Sequence, residues 1–202
     1  MVVDTVAINR RSNAFAGEES LWLFGYGSLL YKADFPFLEC RPARIRGWVR
    51  RFWQGSHDHR GSPEAPGRVA TLIRAPESVC TGMAYRITPD VLEPLDVREK
   101  NGYLRFTTEL AFTDGGTAEG LVYIATEDNA AFLGEAPMQE MARHVARSRG
   151  PSGPNRDYLL GVARVLRELG ADDPHVFGLE AAMLAWESGS GDPVSGAGET
   201  SA

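Results

Sequence analysis

Two glycines flank a tyrosine and precede a serine in FGYGSLLY, residues 24–31. Glycine allows the backbone to approach a ligand closely, so that its N–H groups can point at an anion or an oxyanion. The segment lacks the lysine of a phosphate-binding loop and the spacing of a dinucleotide fingerprint, which disfavours nucleotide binding. Taken alone, Gly-x-Gly-Ser is most simply interpreted as a turn.

A carboxylate suited to acid–base chemistry stands at Glu99, in LDVREKNGY, residues 95–103. It follows a predicted short helix, whose dipole places partial negative charge at its C-terminal end. That charge opposes ionisation and raises the pKa of the carboxyl group, as a general base at neutral pH requires. For an isolated glutamate, a solvated position between Arg98 and Lys100 is the simpler interpretation.

The segment SHDHRGSPEAPGR, residues 56–68, contains the nearest approach to a metal motif. His57 and His59 could bind a metal, but no third and fourth ligand cluster with them. We therefore interpret the segment as a metal-free loop whose prolines and glycines shape a flap over a pocket, with both histidines exposed to solvent. Arg60 in this flap could bind a carboxylate.

A fourth segment, GPSGPNRDYL at residues 150–159, is a glycine- and proline-rich turn that leads into a helix. Helix capping explains it, and helix N-termini also attract carboxylates. Tyr103 and Tyr158 are further pocket candidates, since buried phenols find polar partners, and core packing explains them equally well. Cys40 and Cys80 are interpreted as packing residues.

Composition narrows the function classes. The chain has 202 residues and a formal net charge of −6, which favours one domain and argues against nucleic-acid binding. No apolar run approaches the roughly 20 residues that span a bilayer, and two cysteines make no disulfide framework. We expect a cytoplasmic protein. Arg10 and Arg11 leave a mitochondrial presequence as an alternative, which the nearby acidic residues disfavour.

Six segments rich in β-branched and aromatic residues are typical of strands. They are residues 21–26, 43–54, 68–75, 79–87, 103–112 and 117–125. The sequences at 75–78 and 114–116 suit hairpin turns. The arginines at 41, 44, 46, 50 and 51 alternate with smaller residues, which predicts a solvated face or a small anionic pocket.

Helical periodicity dominates the C-terminal third of the chain. Helices are predicted over 137–149, over a segment whose apolar residues recur at helical spacing from Tyr158 to Leu169, and over 174–187. Ser152 or Asn155 could cap the second of these helices, and Gly170 is placed to end it. A shorter helix before Glu99 could begin at Thr88 or at Glu93, in each case with the following proline at its first position.

Strands followed by helices predict an α+β domain: a small mixed or antiparallel β-barrel or sheet with flanking helices, the helices concentrated in the C-terminal third. Residues 21–186 form one predicted catalytic domain. Residues 1–20 are predicted to be a flexible extension and residues 187–202 a disordered tail, because neither end carries enough apolar periodicity to offset its ordering entropy.

Taken together, five segments in this order resemble the ChaC family of γ-glutamylcyclotransferases, particularly its shorter glutathione-specific branch. The likeness covers roughly residues 21–184 and rests on FGYGSL (24–29), DFPF (34–37), RRFWQGSHDHRGSPEAPGR (50–68), LDVREKNGY (95–103) and GPSGPNRDYL (150–159). Their joint occurrence is far more specific than any one of them.

The resemblance implies a lyase without metal or cofactor that converts glutathione to 5-oxoproline and cysteinylglycine, with Glu99 as the catalytic residue. It also implies that the γ-glutamyl moiety is held by Gly25, Tyr26, Gly27, Ser28, Leu29 and Leu30. Arg60, Tyr103 and Tyr158 complete the expected substrate site. We expect a monomer that binds neither nucleic acid nor membrane.

Some features leave alternatives open. Leu30 stands where Ile is expected, and Pro94 lies in the helix before Glu99, where a kink would alter the approach of the carboxylate. Glu64 is the next candidate if Glu99 is not the base. The same site would serve other γ-glutamyl amines or dipeptides. A protein that is not an enzyme is the other alternative: a binding or regulatory module that uses this pocket without turnover.

Overall fold

The computed structural model describes residues 5–11, 15 and 17–189 and contains a closed five-stranded barrel. The strands are β1 (Leu21–Gly25), β2 (Glu39–Ser56), β3 (Gly67–Ile87), β4 (Tyr103–Phe112) and β5 (Thr117–Ala125). Their order around the barrel is β1-β3-β2-β4-β5. β1 pairs parallel with β5, whereas the other pairs are antiparallel. The predicted α+β fold with a small mixed barrel is confirmed.

Helices flank the barrel, and three of them lie in the C-terminal third, as predicted. They are α1 (Val6–Arg10), α2 (Leu92–Arg98), α3 (Met138–Arg147), α4 (Asn155–Glu168) and α5 (Pro174–Glu187). A 3₁₀ turn at Pro89–Val91 precedes α2, and the short strands β6 (Arg149–Gly150) and β7 (Gly153–Pro154) precede α4. None of the helices in the described ranges is long and apolar enough to cross a membrane.

Two apolar clusters join the barrel to its helices. The larger one packs α3, α4 and α5 against barrel residues such as Phe24 and Phe52, both of which are fully buried. The smaller one packs Leu95 of α2 against Leu23 and Ile87 of the barrel. Burying a side chain of this size contributes roughly 1.5–3 kcal/mol. This packing fixes the end of α2, and therefore Glu99, relative to the barrel.

The turn predictions had different outcomes. The predicted turn at 114–116 joins β4 and β5, and Gly115 and Gly116 there have φ of +107° and +83°. The predicted turn at 75–78 is wrong, because β3 runs without a break from Gly67 to Ile87. The register shifts between Trp48–Arg74 and Arg46–Val79, so residues 75–78 form a bulge. Proline is tolerated at a bulge as well as in a turn.

The starts of the helices also differ in part from expectation. Neither Ser152 nor Asn155 caps α4; Pro154 precedes the helix and no side chain caps it. Asn155 is used differently, since its Nδ2 donates to the Arg68 carbonyl at 2.8 Å and its Oδ1 accepts from the Arg68 amide at 2.7 Å. These bonds tie the first turn of α4 to β3. Gly170, with φ of +61°, follows the end of the helix as predicted.

The helix before Glu99 is not interrupted by proline. Pro89 opens the 3₁₀ turn, as the first of the two predicted starts requires, and α2 then begins at Leu92. Pro94 therefore lies in the first turn of α2, where the amide groups have no partner within the helix.

Arg50 and Cys40 are corrections to the sequence interpretation. Arg50 is buried within the arginine run, because its guanidinium finds several partners in the protein interior. It donates to the Tyr26 carbonyl at 2.7 Å and pairs with Asp173 at 2.6 Å, and it also donates to the Thr81 carbonyl. Cys40 is exposed rather than packed, whereas Cys80 is buried.

The two chain ends are described only in part. Within the predicted extension, residues 6–10 form α1, and this helix contacts α2 and β4. Their flexibility stays a prediction, as does the boundary of the catalytic domain. The predicted tail begins at residue 187, the last residue of α5, and residues 190–202 lie outside the described residues.

Replacing Arg50 by Met should lower the free energy of unfolding by about 3–5 kcal/mol, because Asp173 would remain largely buried without its partner. Urea unfolding measures the loss. Arg46→Met is the matched control, since Arg46 lies exposed on the same strand and its replacement should change the free energy of unfolding by no more than about 0.5 kcal/mol. Equal stabilities of the two variants would contradict the prediction.

Candidate active site

A cavity of about 330 Å³ lies among the 3₁₀ turn after β1, the loop after β2, the end of α2 and the start of α4. Its lining residues are Ser28, Lys32, Asp34, Gly55, Ser56, Asp58, His59, Arg60, Val69, Arg98, Glu99, Asn101, Tyr103, Ser152 and Tyr158. A smaller cavity of about 50 Å³ follows residues 24–29 and shares Ser28, Glu99, Tyr103 and Tyr158 with the first. These shared residues join the two cavities into one candidate site.

Glu99 lies at the end of α2, where the helix is closed by a hydrogen bond of 2.8 Å from the Glu99 amide to the Leu95 carbonyl. Its side chain is 17% exposed, and Oε1 lies 3.5 Å from Nε of Arg98. Burial raises the pKa of the carboxyl group, and the charges of Arg98 and His59 only partly oppose that shift. The direction agrees with the sequence prediction, but its main cause is desolvation by the cavity wall rather than the helix dipole.

Arg98 connects the glutamate to the glycine-containing turn. One Nη donates to Ser28 Oγ at 2.8 Å, and the other pairs with Asp34. With Glu99 beside its Nε, this guanidinium faces two carboxylates and one hydroxyl. Arg98 therefore holds the end of α2 against the turn after β1, a role that its position next to Glu99 in the sequence did not reveal.

The turn after β1 requires glycine at two positions. A Cβ on Gly25 would lie 2.6 Å from the Cβ of Leu29, and a Cβ on Gly27 would lie 2.7 Å from the Tyr158 hydroxyl. The 3₁₀ turn Ser28–Leu30 follows, and the Tyr85 hydroxyl donates to the Leu29 carbonyl at 2.6 Å. The first amides of such a turn have no partner within it. The turn and Glu99 line the same smaller cavity.

Three tyrosines, Tyr26, Tyr103 and Tyr158, line the smaller cavity, and the last two also line the larger one. The Tyr103 hydroxyl donates to the Ala70 carbonyl at 2.9 Å, and the Tyr158 hydroxyl accepts from the Ala70 amide at 3.1 Å. The Tyr26 hydroxyl donates to the Tyr123 carbonyl at 2.7 Å. Burial raises the pKa of all three phenols, so that they are neutral. They provide rigid aromatic surface rather than charge.

The flap predicted over the pocket borders the cavity, and Arg60 lies within it. The Arg60 guanidinium donates to the Pro154 carbonyl at 3.1 Å and lies 3.4 Å from the Tyr31 hydroxyl. It also lies over the Tyr158 ring, 5.7 Å from the centroid. These partners are neutral, and among the described residues no carboxylate forms an ion pair with Arg60. Its charge is available to an anion in the cavity.

The tip of the flap packs against the turn between β6 and β7. The His59 carbonyl accepts from the Ser152 amide at 2.9 Å, and His59 Nδ1 lies 3.1 Å from Ser152 Oγ. His59 is exposed and lines the cavity, whereas His57 does not line it. Within the described ranges, no group of three or more His, Cys, Asp and Glu side chains could hold a metal ion.

The structure brings together most of the residues singled out in the sequence. Gly25, Tyr26, Gly27 and Leu29 line the smaller cavity, and Arg60 lines the larger one. Leu30 lines neither, because its side chain is buried in the larger apolar cluster, which is a correction. Glu64 is exposed and also lines neither cavity.

Several polar residues line the cavity although the sequence analysis did not predict them as site residues. Ser56 accepts from the Arg60 amide at 2.9 Å and so shapes the flap. Asn101 Oδ1 is buried without a hydrogen-bond partner among the described residues, which leaves an acceptor for an N–H group of a ligand. The position of Asn101 two residues after Glu99 was the only available clue to it.

Comparisons with known proteins agree with the fold and show the family of this chain. The family model for ChaC-like protein matches residues 21–185. Gamma-glutamylcyclotransferase 2-3 of Arabidopsis thaliana is 46% identical over 169 residues, which cover 78% of this chain and 85% of that protein. Glutathione-specific gamma-glutamylcyclotransferase 1 of Danio rerio is 45% identical over 183 residues, which cover 84% of this chain and 92% of that protein.

Solved structures show the same fold. A crystal structure of a γ-glutamylcyclotransferase specific to glutathione from yeast superposes with a TM-score of 0.78 at 32% identity, covering 84% of this chain and 97% of that one. A more distant γ-glutamyl cyclotransferase has a TM-score of 0.52 at 19% identity, covering 91% and 94% of the two chains. The second likeness shows the fold alone.

Replacing Glu99 by Gln should raise the free energy of unfolding at pH 8. The buried carboxyl group has a pKa above that of the unfolded chain, so above the raised pKa the folded protein must hold an ionised, poorly solvated group. The gain should shrink as pH falls through the raised pKa and vanish below about 4.3, the ordinary value for glutamate, where both states are protonated.

Thermal or urea unfolding of the native protein and the variant between pH 4 and pH 8 measures this difference. Glu64→Gln is the control, because Glu64 is exposed and should show no such pH dependence. A Glu99→Gln protein less stable than the native protein at pH 8 would mean that the ion pair with Arg98 outweighs desolvation.

Proposed function

This chain belongs to the ChaC-like protein family, and we propose that it is a γ-glutamylcyclotransferase that converts glutathione to 5-oxoproline and cysteinylglycine. The observation that carries the assignment is the buried Glu99, which faces the same cavity as the glycine-containing turn after β1. Relatives named as glutathione-specific γ-glutamylcyclotransferases support the substrate.

The chemistry of glutathione needs little beyond orientation. Its first amide bond uses the side-chain carbonyl of glutamate, so the α-amine of that residue can attack the carbonyl carbon and close a five-membered ring. One C–N bond forms and the C–N bond to cysteine breaks. Attack within one molecule draws on the large effective molarity of oriented groups, provided that the pocket folds the substrate back on itself.

Glu99 can carry the proton through both steps. In its ionised form it accepts a proton from the α-ammonium group, which frees the amine to attack, and it returns that proton to the departing cysteinyl nitrogen. The attacking nitrogen is cationic after it adds to the carbonyl; its second proton passes through the same carboxylate to the leaving amine, and cysteinylglycine departs as the ammonium. A raised pKa brings the carboxyl group closer to the operating pH and so suits both the acceptance and the return. The ring closure consumes no water and transfers no electrons, so the proposed steps use only groups of the protein and the substrate.

The turn after β1 is the proposed site of the γ-glutamyl moiety. Its backbone N–H groups between Tyr26 and Ser28 can stabilise the oxyanion that forms as the amine attacks. Gly25 and Gly27 leave the space that brings this backbone close to the ligand. Arg98 holds Ser28 and lies beside Glu99, so oxyanion donors and base are fixed by one guanidinium.

A cation of the larger cavity that has no carboxylate partner among the described residues would suit the second half of the substrate. Lys32 also lines this cavity, but it pairs with Asp34 at 3.7 Å. Arg98 already faces Asp34 and Glu99, whereas Arg60 has only neutral partners. We assign Arg60 to the carboxylate at the glycine end of glutathione. Tyr103 and Tyr158 form the wall along which the cysteinyl segment lies. A monomer and a cytoplasmic location remain predictions from the sequence.

Incubation of the protein with glutathione should produce 5-oxoproline and cysteinylglycine in equal amounts. Glu99→Gln should lower kcat by roughly 10²–10⁴-fold, because the variant cannot transfer a proton. Mass spectrometry of both products provides the measurement, and Glu64→Gln, which should keep native turnover, provides the control. Native turnover in Glu99→Gln would move the role of base to another residue.

The same assay tests the assignment of glutathione as substrate separately from the assignment of the reaction class. If glutathione stays intact while another γ-glutamyl amine or dipeptide is converted to 5-oxoproline, the cyclotransferase chemistry stands and the assignment to glutathione is wrong. If no γ-glutamyl compound is consumed, a binding module on this fold becomes the better explanation.

Arg60→Gln should raise the KM for glutathione by roughly ten- to a hundredfold, as expected for loss of a hydrogen bond to a charged group. The comparison substrate is glutathione amidated at its glycine carboxyl group, for which native protein and variant should differ little. Steady-state kinetics on the two substrates measure the effect. An equal loss on both substrates would show that Arg60 acts on the shape of the flap instead.

A further inference from the structure

The short helix α1 precedes the part of the chain that matches the family model, and it packs on the segment that carries Glu99. The match begins at residue 21, whereas α1 spans Val6–Arg10. Thr5 and Asn9 are each about 2% exposed, although both are polar. Buried polar groups are stable only when their hydrogen bonds are satisfied, so their partners indicate what this helix holds.

Thr5 bonds to the turn immediately after α2. Its amide donates to the Lys100 carbonyl at 3.1 Å, and its hydroxyl donates to the same oxygen at 3.0 Å. The hydroxyl also lies 3.4 Å from the carbonyl oxygen of Glu99. A threonine that precedes a helix usually accepts a bond from the first turn of that helix, but Thr5 makes no such cap. Its side chain instead lies within hydrogen-bond distance of the backbone carbonyls of residues 99 and 100.

Asn9 bonds to the other end of the same segment. Its Nδ2 donates to the Tyr103 carbonyl and its Oδ1 accepts from the Arg105 amide, both at 3.0 Å. β4 pairs with β2 only at residues 111 and 112, so this part of its edge has no neighbouring strand. The side-chain amide of Asn9 therefore completes the strand edge as a peptide group would.

The third contact of α1 is weaker. Arg10 pairs with Glu93 of α2 at 2.6 Å, but both side chains are more than half exposed. Exposed ion pairs of this kind contribute about 0–1 kcal/mol. Of these three contacts, the buried hydrogen bonds of Thr5 and Asn9, which bracket residues 99–105, therefore contribute more than the exposed ion pair.

We propose that Thr5 and Asn9 are positioning residues, which fix the backbone of residues 99–105 and thereby the carboxylate of Glu99 and the phenol of Tyr103. The inference rests on the proposed function of Glu99 as the base. A proton donor and acceptor must stay within hydrogen-bond reach of the reacting nitrogen, and a displacement of 1 Å can cost about 10²-fold in rate. α1 is thus part of the catalytic apparatus although it contacts neither cavity.

The test uses the full chain with three substitutions. Thr5→Val removes the hydroxyl at nearly constant shape, Asn9→Ala removes the side-chain amide, and Thr5→Ser restores a hydroxyl. Ile8→Ala is the matched control, because Ile8 lies on the same helix and is 54% exposed. Steady-state kinetics on glutathione and hydrogen exchange of the native and variant proteins provide the two measurements.

Thr5→Val and Asn9→Ala should lower kcat by roughly tenfold or more while KM changes by a smaller factor, since the substrate-binding turn and Arg60 are untouched and only the wall at Tyr103 shifts. Hydrogen exchange should accelerate at the amides of Gly102 and Tyr103, which donate to the Lys100 and Glu99 carbonyls within this segment. Thr5→Ser should recover most of the lost kcat, and Ile8→Ala should behave as the native protein.

Native kcat and native exchange in both variants would overturn the inference. Faster exchange throughout the barrel, with kcat falling in proportion to folded protein, would also overturn it, because α1 would then stabilise the fold in general. If the native protein does not consume glutathione, the proposed function fails, and local exchange at residues 99–105 still decides whether α1 fixes that segment.

Discussion

The cost of holding an ionisable carboxylate in a poorly solvated cavity is the constraint on which this structure depends. A free glutamate side chain would turn to water, so Glu99 stays in place only because its backbone is fixed from several sides. Asp96, fully buried on the same helix, binds Arg105 and the Tyr123 hydroxyl, and Leu95 packs into the smaller apolar cluster. α2 is short, and these side chains rather than its length hold it on the barrel.

The turn opposite Glu99 is fixed by a second set of contacts that reaches through the barrel. Arg50 holds the Tyr26 carbonyl from within the core, and the Tyr26 hydroxyl binds the Tyr123 carbonyl on β5. Tyr123 thereby contacts both sides of the site, since its own hydroxyl binds Asp96 below Glu99. The helix that carries the proposed base and the turn that carries the proposed backbone donors are therefore both bonded to β5. These bonds keep their separation constant, although no direct bond joins the two groups.

The sequence predicted the strands and helices better than it predicted the residues that line the cavity. The strands 103–112 and 117–125 and the helix 174–187 were predicted to their observed bounds, because alternation, glycine turns and a proline start are local signals. The bulge at 75–78 was mistaken for a turn because both tolerate the same residues. Arg98 and Asn101 were missed as site residues, since the cavity gathers four segments from distant parts of the chain, and charge alone does not reveal that Arg50 is buried.

The charged residues for the proposed proton transfer and those for the proposed substrate recognition lie on separate elements, the end of α2 and the flap. At the end of α2, where the proposed reaction takes place, Glu99 and Asp34 share the single positive charge of Arg98. Arg60 lies on the flap with neutral partners, which leaves positive charge for the distal carboxylate of the substrate. Because the flap is anchored by its own bonds to the β6–β7 turn, its sequence can change without moving the base. If Arg60 binds the distal carboxylate as proposed, changes in the loop after β2 would alter the accepted γ-glutamyl compound while the barrel keeps the cyclisation.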